Sequence, residues 1–165
     1  QQDRQFGYGN RMKTLFSDEP CYTGHPDQSI FLVGPTPRRA EVPSWRPDAI
    51  KTLEKLDYKG LVLVPERRDW TVRFNYLDQI NWELAGLTHA EIIVCWVPRC
   101  MKDMPALTTN VEMGYWLAKT PERVYYGRPD GTPHVGYLDW LYTKETNREP
   151  FASLDDLLTF VVENT

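Results

Sequence analysis

The chain has 165 residues, of which 41% are hydrophobic and 25% charged, and a formal net charge of −4. Those values fit one globular domain with a real core. The acidic balance argues against a nucleic-acid or anionic-membrane binder, which needs a basic face, and no apolar run approaches the roughly 18 residues of a membrane span.

Residues 1–28 mix Gly, Pro, Asp and Gln without apolar periodicity and read as an N-terminal arm or irregular lead-in, with the domain proper over 29–165. The opening QQDRQFGYGNRMK lacks an apolar stretch, so no signal peptide is expected. SIFLVG (29–34) reads as a buried strand that stops at Gly34-Pro35, followed by a proline-rich loop. Residues 48–56 place Ile50, Leu53 and Leu56 on one helical face, and LVLVP (61–65) is a second strand. Phe74, Leu77, Ile80, Leu84 and Leu87 recur at spacings of three and four, which predicts an amphipathic helix. EIIVCWVP (91–98) is a third strand, 109–119 a helix, RVYYG (123–127) a fourth strand, and GYLDWLY a short helix. Ser153 is the expected N-cap of a last helix, with Asp156 three residues on.

Unbroken apolar strands alternating with helices predict an α/β domain. The expected fold is a Rossmann-like or flavodoxin-like parallel sheet of four to five strands covered on both faces. Ligands bind such sheets at the carboxyl ends of the strands. The residues to inspect are therefore Gly34, Pro35 and Arg38 after the first strand, Glu66 to Arg68 after the second, Pro98 and Arg99 after the third, and Arg128 after the fourth. The loop arginines read as solvated charges, or as partners for a phosphate or carboxylate.

No GxGxxG, GxxxxGK[ST] or GxSxG occurs, so dinucleotide, P-loop and serine-hydrolase readings have no support. Cys21, Cys95 and Cys100 form no CxxC and the histidines are scattered at 25, 89 and 134. No metal site is expected, and a reducing, cytoplasmic setting fits. Cys95, inside an apolar strand, reads as core. Six tryptophans are core and interface residues by default, although a flat face also suits a planar ligand.

Thr109-Asn110-Val111-Glu112 matches a capping box, in which Glu112 would bond back to the Thr109 amide. The same glutamate also stands where the ligand cleft of the sheet belongs. A carboxylate there, kept ionised by the helix N-terminus, suits attack on an anomeric carbon. A second acid would be required. Glu83 in NWELAGL is one choice, and Glu66 and Asp69 are others.

Taken together, FLVGPTPR with SWR (44–46), VPE (64–66), NWELAGL, CWVPR, TTNVEMGYW and YYGRPD resemble the nucleoside 2-deoxyribosyltransferase-like family, from about Ser29 to about Tyr142. The resemblance implies a Rossmann-like fold and a glutamate nucleophile in an E-x-G-(Y/W) motif. Here the motif is Glu112-Met113-Gly114-Tyr115, and it makes capping an incomplete account of Glu112. It implies an acid serving the base, matched by Glu83 where the better-known branch carries Asp. Phe31 falls at the position of that branch's first-strand tyrosine and lacks its hydroxyl. Trp82, Trp96 or Trp116 would stack on the base, and Met113 joins the substrate-binding set. Thr109 and Asn110 would hold a 5′-hydroxyl or a phosphate. The implied reaction exchanges nucleobases on 2-deoxyribose through a covalent glutamyl intermediate, with nucleosides and free nucleobases as partners, no cofactor, and a homo-oligomeric assembly. The alternatives are an N-glycoside hydrolase of nucleosides or their 5′-monophosphates, and a non-catalytic nucleotide-binding module.

Overall fold

The structure, a computed structural model, describes residues 11–20, 28–73 and 75–165. Five parallel strands form one sheet in the order β1-β3-β2-β4-β5. They are β1 (Lys13–Phe16), β2 (Ser29–Val33), β3 (Leu61–Val64), β4 (Ile92–Trp96) and β5 (Val124–Gly127). Five helices connect or follow them: α1 (Arg46–Lys55), α2 (Tyr76–His89), α3 (Leu107–Lys119), α4 (Gly136–Thr146) and α5 (Leu154–Glu163). This is the expected α/β, flavodoxin-like arrangement, with five strands.

The alternation of side chains along a strand divides the core in two. Phe31, Val33, Leu63, Ile93 and Cys95 point to the side covered by Trp82 and Leu87 of α2, Met113 and Trp116 of α3, and Leu138 and Tyr142 of α4. Ile30, Leu32, Val62, Val64 and Val94 point to the other, under Ala49 and Leu53 of α1 and Leu157, Leu158 and Val161 of α5. β2, β3 and β4 are buried along their whole length, which is why their sequences are continuous apolar runs. No helix of the described residues is long and apolar enough to cross a membrane.

Three expectations are corrected. The lead-in is not irregular throughout: Lys13–Phe16 is the edge strand β1, in register with Leu61–Val64 of β3. Its four residues are too short and mixed to show a period. The remainder of the lead-in, 1–10 and 21–27, lies outside the described residues, as does Phe74. Helix α2 forms where expected, but of its apolar stripe only Leu87 faces the core: Leu77, Ile80 and Leu84 are exposed, and Trp82 and Gly86 are buried beside Leu87. Finally, α3 starts at Leu107 with Ala106 as N-cap and no side-chain cap. Thr109 is thus already inside the helix, two residues beyond its start, and the capping box does not exist. By contrast, Ser153 caps α5 as expected, accepting from the Asp156 amide at 3.3 Å.

Gly86 shows how tightly α2 sits on the sheet. A Cβ there would lie 2.7 Å from Cε2 of Phe31, a ring with no exposure. Gly86→Ala is expected to lower stability, because an overpacking cost of about 1–3 kcal/mol outweighs a helix-propensity gain of about 1 kcal/mol. Urea unfolding checks this; an unchanged or higher midpoint would mean that Phe31 yields.

Candidate active site

At the carboxyl end of the sheet a cavity of about 450 Å³ opens between β2 and its neighbours. The position follows from topology. The chain leaves β2 toward β3 on one side and returns to β4 on the other, so the loops part there. The turn after β2 supplies Gly34, Pro35, Thr36 and Arg38; the end of β3 supplies Pro65, Glu66 and Arg67; the loop beyond adds Trp70. Tyr76, Gln79, Ile80 and Glu83, one face of α2, form one wall, and Pro105 to Thr109 with Glu112 form the other.

The turn after β2 needs glycine. A Cβ on Gly34 would lie 2.3 Å from the Trp96 carbonyl and 2.6 Å from the Trp45 ring. Across the cavity, Ala106 takes a left-handed conformation at φ 59, unusual for a residue with a Cβ. Arg99 helps to hold that turn: its Nε donates to the Pro105 carbonyl at 2.9 Å, and its other nitrogens donate to the Pro133 and His134 carbonyls and to Asn110 Oδ1. The first turns of α3 are anchored in this way, and Glu112 is presented into the cavity from the second turn.

Glu83 and Glu112 face each other's charge. Burial, then the Glu83 carboxylate, pushes the Glu112 carboxyl from an ordinary 4.5 up to about 8, against the opposing pull of Arg46. Burial also raises Glu83, against a hydrogen bond from Gln79 and the charge of Arg46. Both carboxyls are thus held above their ordinary range in one cavity. A pair so raised can supply a proton donor and an ionised oxygen, the equipment of acid–base or nucleophilic chemistry. The other acids considered are engaged elsewhere. Glu66 Oε2 accepts from Arg46 at 2.9 Å and from Ser44 at 2.7 Å, and Asp69 accepts from Thr71.

Of the residues singled out from sequence, Glu112, Glu83, Gly34, Pro35, Arg38 and Thr109 line the cavity. Phe31, Trp82, Pro98, Arg99, Asn110 and Met113 do not. Phe31 and Trp82 pack on each other in the core, ring centroids 5.8 Å apart, and Trp82 Nε1 donates to the Glu19 carbonyl at 3.0 Å. Met113, Trp96 and Trp116 are core residues too, so the aromatics beside the cavity are instead Trp70 and Tyr76. Arg99 and Asn110 bond to each other. Sequence reasoning passed over Tyr76, Gln79 and Ile80. Their spacing of seven, four and three residues before Glu83 was the available signal, since it puts all four on one helical face. Among the described residues no group of three or more His, Cys, Asp or Glu is placed to hold a metal ion.

A carboxyl whose folded value lies above its unfolded one is disfavoured as the anion. The penalty on Glu112 is absent near pH 4.5 and grows as pH rises toward 8. Glu112→Gln is therefore expected to raise the melting temperature at pH 8 by roughly 4–8 °C, for about 2 kcal/mol relieved. The gain should fade by pH 5. Calorimetry across that range checks it; a variant equal to or less stable than the parent at pH 8 would show that Glu112 is well solvated.

No curated protein matches the chain. A family model described as nucleoside 2-deoxyribosyltransferase like matches residues 27–130, a stretch that includes every residue lining the cavity. With well over half of its length matched, and strands β2 to β5, the switch-point cavity and the carboxyl pair all within that stretch, the chain belongs to the nucleoside 2-deoxyribosyltransferase-like family.

Proposed function

We propose that the protein transfers a 2-deoxyribosyl group between nucleobases through a covalent intermediate on Glu112. The observation that carries this reading is the pair of half-buried carboxyls, Glu83 and Glu112, that line one cavity at the sheet's switch point. Burial raises Glu112 to about 8, against the expectation that the helix N-terminus keeps it ionised; it gives up its proton before reacting, and in the reactive form Glu112 holds the charge and Glu83 the proton. The Glu112 carboxylate attacks the anomeric carbon from the face opposite the base. The C–N bond breaks, its electron pair goes to the base nitrogen, and that nitrogen takes the Glu83 proton. A glycosyl ester on Glu112 remains. An incoming base then attacks the same carbon, gives its N–H proton to Glu83, and releases the Glu112 carboxylate. Two inversions give net retention. Trp70 and Tyr76 offer flat faces to the base, and the first turns of α3 offer Thr109 to the sugar.

A second reading is favoured by one observation: Arg38 and Arg67 both line the cavity, which suits a substrate carrying a phosphate. In that case water replaces the acceptor base, and the protein hydrolyses a nucleoside 5′-monophosphate.

The decisive test incubates the protein with 2′-deoxyinosine and adenine, with parallel tubes omitting adenine or using the 5′-monophosphate. The expected result is new deoxyadenosine, lost by at least a hundredfold in Glu112→Ala. Free hypoxanthine formed at one rate with or without adenine, and no exchange product, would replace transfer by hydrolysis. Bound nucleoside without turnover, across a panel of bases and sugars, would leave only a binding module.

We also infer that the protein works as a homo-oligomer. On α2, Leu77 and Leu84 are 64% and 50% exposed, and on α3, Val111 is 71% exposed. Gly114, on the same side of α3, would meet nothing within 4 Å if it carried a Cβ. Both stripes lie on helices that wall the cavity, and a second copy is the occupant that fits an apolar face beside a half-open site. Val111→Asp should convert the oligomer to a folded monomer in light scattering. A parent protein that is monomeric at high concentration would refute the assembly.

A further inference from the structure

Arg46 is 1% exposed, the least of the charged residues described. Its Nε donates to the Leu32 carbonyl at 3.0 Å and Nη2 to the Gly34 carbonyl at 2.7 Å, while Nη1 donates to Thr36 Oγ1 at 2.8 Å and to Glu66 Oε2 at 2.9 Å. Gly34, Thr36 and Glu66 all line the cavity that holds the carboxyl pair. Arg46 itself does not; it lines a neighbouring cavity of about 530 Å³ on the far side of that wall. It therefore sits one layer behind the surface a substrate would touch. We propose that Arg46 is a positioning residue for the Glu83–Glu112 pair, whose planar fork fixes the cavity wall and whose permanent charge counters the pair from behind it.

Two independent features support this. The first is geometric. Four acceptors on β2, on the turn after it and on the end of β3 are gathered by one guanidinium. Only a planar five-donor group can meet that pattern; an ammonium has three donors on a point. The second is electrostatic. The same guanidinium lowers both Glu83 and Glu112 against the effect of burial, so it acts on the pair as a unit. Among the described residues, the charged and titratable groups around the pair are Arg38 and Arg46 near β2, Glu66 and Arg67 after β3, Tyr76 on α2, Cys95 on β4 and Arg99 after it. Arg99 is committed to backbone carbonyls and Asn110. Cys95 is driven well above its ordinary range by burial first and then by Glu112, so it stays a neutral thiol.

The proposal rests on the transferase reading only where activity is measured. The experiment uses the full chain and two variants, each first checked for folding by thermal melting. Carbon-13 shifts of the glutamate carboxyls are followed against pH, and base exchange between 2′-deoxyinosine and adenine is measured over the same range. In Arg46→Gln the titrations of Glu83 and Glu112, and both limbs of the kcat/KM profile, should move to higher pH. On the acid side kcat/KM should fall about tenfold or more, since one pH unit is a tenfold change in the ionised fraction. Arg46→Lys keeps the charge opposite Glu66 and with it the fold. It should leave the titrations in place and lower kcat about tenfold through the lost fork, with KM less affected. A folded Arg46→Gln protein with unmoved titrations overturns the proposal. So does Arg46→Lys with moved titrations or with parental kcat, even if Arg46→Gln does not fold. If the parent titrates as described but exchanges no base, the functional reading falls and the role of Arg46 is decided by the titrations alone.

Discussion

A parallel sheet that ends abruptly leaves carbonyl groups pointing into loops that carry no ladder to receive them, and each must find a donor. In this chain arginines do that work. Arg46 takes the carbonyls at the end of β2, Arg99 those of the turns at Pro105, Pro133 and His134, Arg123 those of Leu87 and Ala90 at the end of α2, and Arg148 that of Val124. The guanidinium groups of Arg46 and Arg99 each satisfy several acceptors that would otherwise go unpaired. A buried cation needs an anion nearby or a strongly polar cage. Glu66 provides the first for Arg46 and the ring of carbonyls provides the second for Arg99. The cavity is the space left between two such cages, one at the end of β2 and one at the start of α3.

That construction explains why two carboxyls can sit so close in a poorly solvated place. Alone, Glu83 and Glu112 would be driven neutral by burial and by each other. The permanent cation of Arg46, which does not line the cavity, opposes that drive in both, and Gln79 opposes it further in Glu83.

Much of the fold was legible because its signals are local. β2, β3 and β4 are unbroken apolar runs, and the Ser153 cap is a two-residue pattern that the structure reproduces. What sequence misjudged depends on the tertiary surroundings. The stripe Leu77, Ile80, Leu84, Leu87 has the helical period of a core face, yet only Leu87 of it is buried, together with Trp82 and with Gly86, where a Cβ would crowd the Phe31 ring. Thr109 and Glu112 have the spacing of a capping box, but a left-handed Ala106 starts the helix two residues earlier, and no local pattern announces that turn. For the site, Glu112 and the Gly34 turn were readable from their places after strands, whereas Glu83, inside α2, was readable only as one of several candidate second acids. Arg99 was readable only as a charge in the right loop; that it faces inward to carbonyls depends on segments far along the chain. Trp82 illustrates the same limit for aromatics, since burial and stacking on a ligand ask for the same residue type.

Helix α2 belongs to three environments at once. Trp82, Gly86 and Leu87 seat it on the sheet, Tyr76, Gln79, Ile80 and Glu83 face the cavity, and Leu77 and Leu84 look outward. In 14 residues it has few positions without an assignment. A helix is a stiff rod, and its faces cannot turn independently. Anything that comes to press on the outer stripe therefore bears on the same lever that carries Glu83. A change of a few degrees in its roll about the Phe31 contact would alter the gap between the two carboxyls, which ties the outer surface mechanically to the site inside.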